Sequence, residues 1–166
     1  LEIARKHTVR LGELIGDLFE LSKLDSASIH PVLESFSLAE LLHDIVHEYD
    51  LDAKKRDIDL SIDAPNDPSM VCADIGLVQR VLENLIRNAL KFTPTGGSIK
   101  IRLDKKQDAV AVAIEDTGCG IPEKDLEHVF DRFYRAENTN QNHSNTAGLG
   151  LAIVHKILDL HGSRIT

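Results

Sequence analysis

The sequence predicts an α/β fold, a two-layer sandwich with helices on one face of a mixed sheet, preceded by an amphipathic helix. Three observations carry that prediction. Long segments repeat apolar residues at three- and four-residue steps, shorter ones alternate apolar with polar, and the order runs helix, strands, helix, strands, helix.

In the first segment Leu11, Leu14, Ile15, Leu18, Leu21 and Leu24 keep helical spacing, which marks a helix ending near Asp25 with a narrow apolar seam suited to a bundle. No second helix of matching character lies next to it in the sequence, so the seam is expected to pack on another chain or on a segment missing from this one. Residues 26–36 read as a linker. Ser37-Leu-Ala-Glu40 reads as a capping box opening a helix to about Lys54. Ile58 to Asp63 alternates as a half-buried strand, residues 64–69 form a turn cluster, and Met70 to Ala73 makes a short strand. Asp74 is placed to cap the next helix. On that helix Val78, Val81, Leu82, Leu85, Ile86 and Ala89 form the buried face. Residues 98–103 and 109–115 alternate like antiparallel neighbours joined by a polar turn. The last clear helix runs from Leu149 to Leu160 and stops at Gly162.

A chain of 166 residues with 42% hydrophobic and 28% charged content has enough apolar material for one core and an appendage. The two cysteines, Cys72 and Cys119, are too few for a disulfide framework and too far apart for a zinc knuckle, so a reducing, cytoplasmic setting is expected. No apolar run of about 18 residues is present, which leaves any membrane anchor to another part of a parent protein. The net charge is -8 with scattered Lys and Arg, which argues against nucleic acid as a partner. An anionic ligand must therefore be met by local groups.

Such groups lie on the helix after Asp74. At about 100° per residue, Asn84, Asn88 and Lys91 fall within roughly 60° of one another, opposite the apolar arc. Downstream come Asp116-Thr-Gly-Cys-Gly-Ile-Pro122, Phe130-Asp-Arg-Phe-Tyr-Arg135 and Ala147-Gly-Leu-Gly-Leu-Ala-Ile153. Asp116 offers an acceptor for an adenine amine, Gly118 and Gly120 let backbone approach a ring, and Ile121-Pro122 can wall an apolar slot. Gly148, Leu149 and Gly150 allow backbone amides at a helix start to meet phosphates. Between them, residues 136–147 are polar and poor in packing groups, as a loop ordered by its ligand would be.

These four segments resemble, in order and spacing, the asparagine, first glycine, phenylalanine and second glycine boxes of the sensor histidine kinase ATP-binding domain, a GHKL-type ATPase. The resemblance covers nearly the whole chain. It implies that residues 1–25 are the second helix of the dimerisation and histidine-phosphotransfer hairpin and that 37–166 are the ATP-binding catalytic domain, short of its closing strands. It further implies ATP and Mg2+ as ligands, with Asn88 on the metal, Lys91 and Arg135 toward phosphate, and Asp116 on the adenine amine. Homodimerisation through the hairpin helices and transfer to a response regulator follow from the same resemblance. Residues 136–147 take the place of the ATP lid, with Phe130 and Phe133 as its packing anchors. Arg132 and Arg87 read as surface residues, with a place on the ridge's flank for the latter.

Two departures carry consequences. Thr146 and Ala147 stand where the family commonly has a glycine and a small hydroxylic residue, which leaves room for a degenerate nucleotide-sensing or scaffolding module. None of the eight histidines sits in the family's acceptor signature, so this piece alone is not expected to phosphorylate itself. His43 and His47 share a helix face without the glutamate or third ligand that zinc chemistry requires, and read as solvated. Related ATPases, including serine kinases of the anti-sigma type, share the superfold; the hairpin-like N-terminal seam favours the histidine kinases. Some of them carry a glutamate base at the place of Asn84. An amide cannot take a proton from water at neutral pH, so slow ATP hydrolysis is expected.

Substituting Asp116→Asn removes a charge-assisted bond of about 1.5 to 3 kcal/mol. A ten- to hundredfold loss of ATP affinity with an unchanged circular dichroism spectrum is expected, at about 1.4 kcal/mol per decade; equal affinity in the two proteins would refute the assignment.

Overall fold

The computed structural model describes residues 2–26, 30–65, 67–106, 109–135 and 148–166. The elements run α1 (Glu2–Asp25), β1 (Glu34–Ser37), α2 (Leu38–Lys55), β2 (Asp59–Asp63), β3 (Met70–Ala73), α3 (Ile75–Phe92), β4 (Ser98–Lys105), β5 (Val110–Asp116), a 3-10 turn (Glu123–Asp125) and α4 (Gly150–Leu160). They form two compact units, Pro31–Gly120 and Leu1–His30 with Ile121–Thr166.

In the Pro31–Gly120 unit the sheet is mixed, in the order β2-β4-β5, with β2 parallel and β5 antiparallel to β4. The pleat sends Ile99, Ile101 and Leu103 of β4 inward. They join Leu42 and Ile45 of α2 and Leu82 and Ile86 of α3 in one core, two helices against one sheet. On the outer face, Lys100 pairs with Asp63 and Arg102 with Glu115. These exposed pairs contribute little stability beyond solubility.

Local chemistry sets the helix ends. Ser37 Oγ accepts from the Glu40 amide at 3.2 Å and donates to the Pro68 carbonyl at 2.7 Å, so one hydroxyl caps α2 and ties it to the turn before β3. In that turn Asp67 accepts from the Ser69 amide at 2.6 Å and from Lys105 Nζ at 2.8 Å. The lysine first, then the amide, hold its carboxyl below the usual carboxylate range. Asp74 caps α3 by accepting from Leu77 N at 3.1 Å, and its second oxygen accepts from Val32 N at 2.9 Å. The Arg56 guanidinium donates to the Leu90 and Thr93 carbonyls, satisfying acceptors that the end of α3 would otherwise leave open.

Two sequence expectations change here. The stretch read as a linker contains β1, whose residues pair antiparallel with β3, Glu34 with Ala73 through Ser37 with Met70. Glu-Ser-Phe-Ser has weak strand character alone, and the pairing comes from a strand 33 or more residues away. The seam of α1 is also partly covered within the chain. In the other unit α1 packs on α4, and Leu21 and Leu24 are buried, whereas Leu11, Ile15 and Leu18 stay exposed. Among the described residues no helix is long and apolar enough to cross a membrane.

Ile86 has 0% exposure at the centre of the α3–sheet core. Ile86→Ala is expected to lower unfolding free energy by about 2 to 5 kcal/mol, the range for emptying such a site, read as a shift of the urea midpoint.

Candidate nucleotide site

On α3 the ridge expected from the sequence exists, with its members in different states. Asn84 is 3% exposed; its Nδ2 donates to the Arg80 carbonyl at 3.0 Å and its Oδ1 accepts from Arg87 Nη2 at 2.8 Å. Asn88 is half-buried and has no hydrogen bond among the described residues. Lys91 Nζ lies 4.5 Å from the centre of the Phe92 ring, a cation–π contact that draws it along the helix. Glu83 accepts from Gln79 Nε2 at 2.7 Å and so is turned along the helix flank. On α2, burial pushes the half-buried Tyr49 phenol up, and the charge of Arg87 opposes that shift.

The Asp116 loop is set by backbone proximity. Asp116 Oδ1 accepts from the Gly118 amide at 2.8 Å, an Asx turn that leaves the second oxygen without a partner among the described residues. A Cβ on Gly118 would stand 2.6 Å from Asp116 Oδ1 and 2.8 Å from the Phe92 carbonyl oxygen. The glycine thus lets the loop touch the last turn of α3, a constraint within the chain rather than only clearance for a ligand. Thr117 Oγ1 accepts from Ser98 N at 2.9 Å and fixes the loop to β4. Gly120 has φ +67°.

In the other unit the segments flanking residues 136–147 meet. Phe133 N donates to the Gly148 carbonyl at 3.0 Å. Gly148 has φ +73°, and a Cβ there would lie 2.6 Å from the Tyr134 carbonyl oxygen, so no other residue suits the position. Tyr134 donates its hydroxyl proton to Asp125 Oδ1 at 2.8 Å, and Asp125 is only 3% exposed. Phe130 packs at 5.5 Å from the His155 ring. Phe133 is 57% exposed and has φ +63°; the lid it was expected to anchor lies outside the described residues. Arg132 is exposed, as expected, and pairs with Asp25 at the end of α1 at 2.6 Å. Arg135 and Ile121 are exposed. Leu149 precedes α4 without a side-chain cap, and among the described residues the first turn carries no acidic side chain to compete for the amides from Gly150 onward. The expected lid, with Thr146 and Ala147, lies outside the described residues. His43 and His47 are exposed, and no cluster of three metal-ligating side chains occurs among the described residues.

Within the Pro31–Gly120 unit the donors fit a magnesium nucleotide: an open carboxamide oxygen on Asn88 and an open carboxylate oxygen on Asp116. Residues 73–166 match the family of histidine kinase-, DNA gyrase B- and HSP90-like ATPases. The chain belongs to this ATPase family. Among these ATPases its likeness is to the sensor histidine kinases. It is 39% identical over 99% of its length to a sensor-like histidine kinase of Pyropia yezoensis, of which it spans 27%. Full-length ShkA, solved with AMPPNP, superposes with a TM-score of 0.80 at 25% identity, over 92% of this chain and 31% of that one. Histidine kinase ThkA, solved with response regulator protein TrrA, gives 0.69 at 27% identity, over 77% of this chain and 38% of that one. The chain spans between 11% and 27% of the length of three curated histidine kinases that it matches. It carries the ATP-binding catalytic module of that kinase family.

Gly118→Ala would drive a methyl group into the Phe92 backbone, which cannot yield as a side-chain end would. A loss of about 1 to 3 kcal/mol in stability is expected, the usual cost of overpacking, together with weaker nucleotide binding. A thermal midpoint equal to that of the parent protein would contradict the contact.

Proposed function

We propose that this ATPase module serves a sensor histidine kinase, holding Mg-ATP for γ-phosphoryl transfer to a histidine on a hairpin helix and from there to an aspartate of a response regulator. The observation that supports it best is the α3 ridge, which presents amides and cations and turns its one nearby carboxylate, Glu83, onto Gln79. Such a surface binds phosphate and metal without activating water.

In this reading Asp116 accepts the adenine amine, while Gly118, Gly120 and Ile121 border the base. Asn84, Asn88 and Lys91 serve the phosphate end, with Asn88 as the magnesium ligand through its carbonyl oxygen. Gly148, Leu149, Gly150 and Arg135 meet the phosphates, the first three through helix-start amides. Bound magnesium supplies charge neutralisation on the phosphates. Residues 1–25 act as the second hairpin helix, pairing with a second copy through the exposed Leu11, Ile15 and Leu18; residues 37–166 form the ATP-binding domain. The complex of ThkA with its response regulator supports the same kind of partner here. A cytoplasmic location agrees with two free cysteines and with phosphate chemistry that depends on ATP.

The test is calorimetric titration with ATP and with ADP, each with and without magnesium, while hydrolysis is followed in parallel. Magnesium-dependent binding with negligible turnover is expected. Rapid hydrolysis would sink the assignment to phosphoryl transfer, and absence of binding would sink the nucleotide site itself.

A further inference from the structure

The flank of the α3 ridge contains a cation that the expected roles leave unused. Arg87 is exposed, yet its guanidinium is fixed by Asn84 Oδ1 at 2.8 Å, and Asn84 is 3% exposed. The orientation of that carboxamide is dictated by chemistry. A backbone carbonyl only accepts and a guanidinium only donates, so Nδ2 must face Arg80 O and Oδ1 must face Arg87. A flip would place oxygen against oxygen and N–H against N–H. Both ends of the Asn84 side chain are thereby occupied, which makes it a poor direct ligand and a good anchor. Arg87, by contrast, uses one N–H in this bond, its charge also acts on the Tyr49 phenol of α2, and its other N–H groups donate no hydrogen bond to the described residues.

Along α3, Arg87 lies roughly 60° from Asn84 and roughly 40° from Lys91 at about 100° per residue, on the edge of the same stripe. Lys91 leans over Phe92, and the chain as a whole carries a net charge of -8, so a polyanion depends on the cations this stripe presents. A planar guanidinium already held in place loses little freedom on meeting phosphate oxygens. We infer that Arg87 contacts the phosphates of the nucleotide and that Asn84 is its positioning residue. This rests on the nucleotide reading above, and moves the phosphate contact given there to Asn84 onto Arg87, first read as a surface residue.

The probe is ADP, titrated calorimetrically into the protein and into Arg87→Met, Arg87→Lys, Asn84→Ala and the Asn84→Ala/Arg87→Met double variant, with thermal midpoints measured on each. Arg87→Met is expected to weaken ADP binding about tenfold, the size of one lost charge-assisted bond, at an unchanged midpoint, with Arg87→Lys in between. The double variant is expected to bind no more weakly than the weaker single one, as for two residues acting as a unit. ADP affinity within twofold of the parent in Arg87→Met would overturn the inference alone. So would a loss in Arg87→Met that follows a fallen midpoint, or additive losses in the double variant. If the parent protein binds no ADP, the nucleotide reading fails and takes this inference with it.

Discussion

The last turn of α3 is the constraint on which the Pro31–Gly120 unit depends. Its apolar arc is locked to the mixed sheet by Ile86, Ala89 and Leu90, and its end is fixed by Arg56 on the Leu90 and Thr93 carbonyls. Phe92 then presents the backbone carbonyl against which Gly118 packs at a distance that excludes any side chain. Core packing, a guanidinium cap and one missing methyl group together set where Asp116 stands. A shift of α3 on the sheet would therefore move the ridge and the Asp116 loop together, which explains how two motifs 28 residues apart keep a common frame.

The same logic of occupied and open polar groups sorts residues that look alike. Asn84 and Asn88 are one helical turn apart and chemically identical, but one is buried with a partner at each end of its carboxamide, Arg80 and Arg87, while the side chain of the other has no hydrogen bond among the described residues. Asp116 is exposed and engages one oxygen in its own turn, whereas Asp125 is buried and tied to Tyr134. A ligand can use only what the fold has not already consumed. Residue type at the right spacing nominates a site, and partner accounting decides what each member contributes.

Much of the fold was legible because its signals are local. The serine cap at Ser37, the aspartate cap at Asp74, the apolar arc of α3 and the stop at Gly162 each act within a few residues, and each stands where the sequence placed it. The misses involve distant partners. Strand β1 depends on β3, and the covered end of the α1 seam on α4. No periodicity within a window can report such pairings. The role of Arg87 had one faint signal, its place three residues after a ridge asparagine, within reach of a helix-surface hydrogen bond.

The chemistry of the ridge follows from what it lacks. Activating water demands a group that can accept its proton, and along the stripe from Arg80 through Asn84, Arg87 and Asn88 to Lys91 the side chains are amides and cations. The neighbouring Glu83 could in principle rotate toward the stripe, but it lies about 100° around the helix and would have to give up Gln79 to do so. A surface of this composition lowers the energy of negative charge on phosphate oxygens while leaving the nucleophile to be supplied elsewhere. For phosphoryl transfer, where positioning and charge neutralisation do most of the catalysis, that division suits an acceptor side chain better than water. In the proposed function, a ridge without a carboxylate base holds the nucleotide intact until a competent acceptor arrives.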